Sequence, residues 1–151
     1  MTARVLLHCD RSLPGRLVLE DGSEYRCLGK SDNAAAEAHG NPTRNPLQPF
    51  GDLPAGEYRA TRSVAKNSTL ADIRSYGNGP VWVLNPVAGE AVKAMHNGRY
   101  GILLHGGAVG SLMTTGGLRP THGCLRVDNS TIEALALRAV DEPFTLTVEE
   151  R

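Results

Sequence analysis

Gly101-Ile102-Leu103-Leu104-His105-Gly106-Gly107 and Thr121-His122-Gly123-Cys124-Leu125-Arg126-Val127 are the two stretches on which the reading of this chain turns. The apolar run from Gly101 to Leu104 predicts a buried strand that delivers His105 at its end. The fifteen residues 106 to 120 then carry Gly at 106, 107, 110, 116 and 117, which predicts a loop. Helix signals follow the second stretch. Ser130 and Glu133 stand at capping-box spacing, Ile132, Leu135, Leu137 and Val140 supply apolar positions, and Glu142-Pro143 predicts the stop.

The residue types in these stretches suit thiol chemistry. A cysteine attacks a carbonyl as its thiolate, and a free thiol near neutral pH is mostly protonated. An imidazole beside it can take the proton and return it to a leaving amine. Cys124 and His105 are the candidate pair. Glycine at 123 lets the backbone bend and lets a carbonyl come close, so the Cys124 N–H is expected to point at the developing oxyanion. The helix predicted just downstream would add a modest positive field.

Outward from there, the chain reads as strand-rich. Arg4 to Cys9, Arg16 to Glu20 and Glu24 to Leu28 predict three antiparallel strands in a meander, with turns at Leu13-Pro14-Gly15 and Asp21-Gly22. Residues 29–56 hold Asn41-Pro42, Asn45-Pro46, Pro49 and Pro54, a pattern that predicts no regular structure. Glu57 to Arg62 alternates as a strand, Ser68 to Tyr76 predicts a short helix ended by Gly77, and Pro80 to Leu84 predicts a strand. Residues 88–100 fit a helix or a hairpin, and Phe144 to Val148 alternates as a last strand.

Composition sets outer bounds. The 151 residues fit one domain, 1–151, with one real core, and 17 Gly with 9 Pro point to a loop-rich, mainly β protein. Sixteen basic residues balance sixteen acidic ones, so no whole-molecule charge draws the chain to nucleic acid or an anionic membrane. No apolar run reaches membrane-spanning length, and the N-terminus shows no secretory signal pattern. Three cysteines leave at least one free thiol. Cys9 and Cys27 lie in strand-like stretches, where they read as small apolar core residues or, in an oxidising compartment, as a pair.

The pattern His105, fifteen residues, then Thr121-His122-Gly123-Cys124-Leu125-Arg126 resembles the YkuD-type L,D-transpeptidase signature. Asp52-Leu53-Pro54-Ala55-Gly56-Glu57-Tyr58 resembles the family's Thr-Pro-x-Gly-x-Phe segment, with Leu53 in place of the usual Thr. The likeness covers residues 50–150 best, and 29–49 has no clear family counterpart. It implies a mainly β (α+β) fold, a β-sandwich with one or two short helices. It implies attack of Cys124 on the bond before a terminal D-Ala of a peptidoglycan tetrapeptide stem, a thioester, and a 3→3 crosslink to a second stem. The alternative in the same fold is hydrolysis, as an L,D-carboxypeptidase or endopeptidase. No metal or organic cofactor is implied. Carried over residue by residue, His105 is the base and later the acid, and Gly106 orients it through its carbonyl. His122 and Gly123 shape the oxyanion site with the Cys124 N–H. Arg126 positions substrate or braces the loop, and Thr121 backs it on the substrate side.

Competing readings of the same atoms are weaker. His105, His122 and Cys124 could form a three-ligand zinc site, but His-x-Cys is not a usual zinc spacing and no Cys-x-x-Cys or His-Glu-x-x-His occurs. Gly106 to Ser111 lacks the Gly-Lys-Ser/Thr ending of a phosphate loop. His8, His39 and His96 have no chemical company, and no acidic pair suggests a glycosidase. The family's substrate lies outside the cytoplasmic membrane. An antibacterial effector, with a secretion system or an immunity protein as partner, is one use of a chain without a visible export signal.

Overall fold

A computed structural model describes residues 1–107 and 117–151. The opening meander forms as expected, as β1 (Thr2–Leu7), β2 (Gly15–Leu19) and β3 (Glu24–Leu28). Further strands are β4 (Gly56–Ser63), β5 (Val81–Ala88), β6 (Leu103–His105), β7 (Leu125–Val127) and β8 (Phe144–Glu150). Period-two alternation places Ala3, Val5 and Leu7, then Leu17 and Leu19, then Phe144, Leu146 and Val148 in one core with Tyr58, Trp82, Leu104 and Leu125.

The mainly β expectation holds, but the sandwich gives way to one closed sheet. Its strand order is β1-β2-β3-β7-β6-β5-β4-β8. Closure depends on the last strand, which pairs parallel with β1 and antiparallel with β4, so the sheet keeps no edge.

Among the described residues four short helices stand where one or two were expected: α1 (Asn33–Ala38), α2 (Leu70–Tyr76), α3 (Glu90–His96) and α4 (Asn129–Ala139). The α1 helix overturns the expectation of no regular structure in 29–56. Asp32 caps it by accepting from Ala35 N–H at 2.9 Å, ahead of an alanine-rich run with no proline. The α3 helix settles the ambiguity at 88–100. The α4 helix starts two residues earlier than its capping box predicts: Asp128, not Ser130, is the N-cap, without a side-chain cap bond. It ends at Ala139, and Val140 in a left-handed conformation (φ 50°) terminates it ahead of Pro143. No described helix is long and apolar enough to cross a membrane.

All three cysteines are free. Cys27 is a core residue, its thiol pushed up to about 12 by burial. Cys9 is exposed, because β1 ends two residues before it.

Candidate active site

The spacing between the two motif stretches has a structural meaning. Strands β6 and β7 are neighbours and parallel, with Leu104 opposite Leu125 and His105 opposite Arg126. Parallel neighbours need a crossover connection, and residues 106–124 provide it. Leu104, Leu125 and Val127 face the core. Alternation turns His105 and Arg126 to the other face, where they line a cavity of about 380 Å³ with Cys124. Tyr76, Arg74, Arg119, His122 and Asp32 also line it. The glycine-rich segment at Gly110 and Gly116, and the phosphate-loop-like run as far as Ser111, lie outside the described residues.

His105 is buried, and its Nδ1 lies 2.6 Å from the Gly106 carbonyl. A carbonyl can only accept, so Nδ1 carries the proton and Nε2 keeps its lone pair. Burial pulls the imidazole down to about 4 from its ordinary 6.5; the Gly106 carbonyl opposes this and the Arg126 charge adds to it. The ring is therefore a neutral base at neutral pH. Tyr76, at the end of α2, meets it edge-on with ring centroids 4.9 Å apart.

Burial pushes the Cys124 thiol up, while the Leu103 N–H and the charges of Arg99 and Arg126 pull part of that shift back. Cys124 Sγ accepts from Leu103 N–H at 3.4 Å and lies 3.9 Å from the Gly101 carbonyl. Among the described residues it makes no hydrogen bond to His105. Cysteine and imidazole thus rest as a neutral pair in one cavity rather than as a thiolate–imidazolium pair.

Thr121 occupies a position that corrects one expectation. Its Oγ1 accepts from both Gly123 N–H (3.1 Å) and Cys124 N–H (2.8 Å) and donates to the Cys124 carbonyl at 3.2 Å. The Cys124 N–H is therefore engaged and not aimed at an oxyanion. The His122 N–H makes no hydrogen bond among the described residues and is the remaining donor of the turn.

Arg126 is buried and has no carboxylate partner among the described residues. One terminal nitrogen donates to the Ser75 carbonyl at 2.7 Å, and its Nε has no partner among the described residues. It sits at the C-terminal carbonyls of α2, where a cation is favoured. Across the cavity three arginines face one acid, Asp32, which suits an anionic substrate.

The segment 29–52 is tied to the site. Ser31 bridges to Thr121, Asp32 N–H donates to the Thr121 carbonyl at 2.7 Å, and Phe50 lies between His39 and His122. Tyr76 and Arg99 went unseen in the sequence, since neither belongs to a motif and both reach the site only through the fold. No group of His, Cys, Asp and Glu among the described residues could hold a metal ion.

Residues 25–143 match the model of the YkuD L,D-transpeptidase catalytic domain. The chain belongs to this family. The YkuD likeness extends to solved structures: Bdellovibrio bacteriovorus Bd1075 shares 15% identity with a TM-score of 0.56, over 97% of this chain and 47% of that one. The helical cell shape determining protein Pgp2 of Campylobacter jejuni (K307A mutant) shares 17% identity with a TM-score of 0.51, over 99% of this chain and 47% of that one. At such identities the likeness is one of fold, and the chain spans about half the length of these structures. No curated protein sequence matches.

Proposed function

We propose that this YkuD domain is a cysteine acyltransferase acting on peptidoglycan tetrapeptide stems, with Cys124 as nucleophile and His105 as base. The observation that carries the reading is the shared face of β6 and β7, which turns Cys124, His105 and Arg126 into one cavity. The arginine-rich lining supports a substrate rich in carboxylates, as stem peptides are. Nothing in the comparisons points to a secretion system or an immunity protein.

In the proposed cycle, His105 Nε2 takes the Sγ proton as sulfur bonds to the carbonyl carbon preceding the terminal D-Ala. The carbonyl electrons move to oxygen, near the His122 N–H. Collapse breaks the C–N bond, and His105 returns its proton to the departing D-Ala amine, leaving a thioester. An amine of a second stem then attacks, loses its proton to His105, and expels the thiolate, which is reprotonated. A 3→3 crosslink results. Because the resting pair is neutral, proton transfer accompanies attack instead of preceding it.

The test is mass spectrometry of disaccharide-tetrapeptides incubated with the enzyme and with Cys124→Ala. Loss of D-Ala with a dimer appearing, abolished in the variant, is the expected result. Tripeptide alone would replace transfer with carboxypeptidase action, and cleavage of added dimers would indicate an endopeptidase. Turnover surviving in Cys124→Ala would remove the nucleophile assignment.

A further inference from the structure

Arg99 follows α3 and lies 24 residues before Gly123, yet its guanidinium ends at the turn that carries the thiol. It is buried, 4% exposed, and makes no ion pair among the described residues. Its planar fork instead donates to three backbone carbonyls: Pro46 at 2.8 Å, Asp52 at 2.5 Å and Gly123 at 2.8 Å. Burying a cation without a bonded carboxylate is costly, and burial does pull Arg99 below its ordinary value. A neutral donor could satisfy a single carbonyl. Three carbonyls converging from two segments call for a rigid, multi-donor fork.

The Gly123 carbonyl belongs to the peptide whose N–H is that of Cys124. One end of this peptide is held by Arg99, the other by Thr121 Oγ1. Gly123 itself is left-handed (φ 114°), and a Cβ there would strike the Arg99 guanidinium and approach the Gly51 carbonyl to 2.8 Å. The turn therefore has one orientation, set from both sides.

We propose that Arg99 is a positioning residue for Cys124, clamping the Gly123–Cys124 peptide to the 46–52 loop and placing a fixed positive charge behind the thiol. The proposal rests on Cys124 being the reactive thiol. Two consequences follow. The loop 46–52, which the sequence alone left without a family counterpart up to residue 49 but which lies inside the matched residues 25–143, becomes a support of the site. And the charge favours sulfur as it gains negative character, in concert with Arg126 on the cavity side. The groups facing the thiol from other elements are His105 on β6, Arg126 on β7, Tyr76 and Arg74 of α2, and Asp32, Arg119 and His122 in the adjoining loops.

The test uses the full chain carrying Cys9→Ser, so that the exposed second thiol is silent. Arg99→Gln keeps a donor and removes the charge; Arg99→Lys keeps the charge and loses the planar fork. Alkylation of Cys124 by iodoacetamide is followed across pH 6 to 10 by peptide mass mapping, with melting curves and amide exchange of residues 121–125 alongside. Arg99→Gln is expected to slow alkylation at pH 7 by about tenfold, the effect of about one unit in the thiol midpoint. Arg99→Lys is expected to restore the midpoint while 121–125 exchange faster than in the parent. A folded Arg99→Gln with the parent's midpoint would overturn the charge role. Should that variant not fold, parent-like exchange in Arg99→Lys would overturn the clamp. Alkylation reads the thiol without turnover, so inactivity or hydrolysis with muropeptides would leave the role of Arg99 standing.

Discussion

Thr121 shows how much of the site is held by one small side chain. Its hydroxyl oxygen satisfies the Gly123 and Cys124 N–H groups, and its hydrogen goes to the Cys124 carbonyl. Thr121→Val keeps the shape and removes all three bonds. Two N–H groups in a tight turn would lose their acceptor, at about 1–3 kcal/mol for each one left buried. Thr121→Val should thus lose about 2–4 kcal/mol of unfolding free energy in a urea titration, and Thr121→Ser no more than about 1 kcal/mol. A Val variant as stable as the parent would show that water or rearrangement replaces the hydroxyl. The nature of the residues at 121–126 was legible in the sequence because the thiol, the imidazole and the bend-forming glycine are chemically distinctive. The direction of the Cys124 N–H was not, since it depends on which acceptor the turn meets in space. Arg99 and Tyr76 were hidden for a related reason: their roles lie in contacts with Gly123 and His105, which are 24 and 29 residues away in the chain.

At the scale of elements, alternation and turn residues revealed most strands. They missed β7, whose three residues lie within the motif and are too short to show a period. They also missed α1, where the prolines of the surrounding stretch outweighed a local Asp32 cap and alanine run. The α2 helix was legible from its Gly77 stop, and its place in the fold explains why glycines cluster there. Asn129 Oδ1 accepts from Gly107 N–H at 3.0 Å and sits where a Cβ on Gly106 would stand. A Cβ on Gly77 would lie 2.5 Å from the same oxygen, and Gly77 is left-handed at φ 78°. These glycines let α2 close against the end of β6, bringing Tyr76 onto His105 and the Ser75 carbonyl to Arg126. Gly77→Ala should therefore cost about 1–3 kcal/mol from backbone strain and crowding. Stability at the parent's level in denaturant titrations would mean that α2 shifts freely, and the contact of Tyr76 with His105 would then not be fixed.

For the whole molecule, the closed sheet was the least legible feature. Its closure joins the first strand to the last, Thr2 opposite Thr145 through Leu7 opposite Glu150, and no local pattern encodes a pairing of such separation. Closure also makes the core continuous with the strand that carries His105, so titration of that ring is felt by global stability. Folded, His105 titrates near 4; in the unfolded chain it returns to about 6.5. Between these values the unfolded state binds the extra proton and the folded state does not, so stability rises with pH across this window and falls as the solution is acidified. The ring is 2% exposed, so solvent screening takes little from the effect, which amounts to about 3 kcal/mol at most. Unfolding free energy measured from pH 7 to 4 should drop by an amount of that order. His105→Gln, which cannot take up the proton, should show a much flatter profile over the same range. A parent profile as flat as that of the variant would place the imidazole in contact with water, and the neutral resting pair with Cys124 would lose its physical basis.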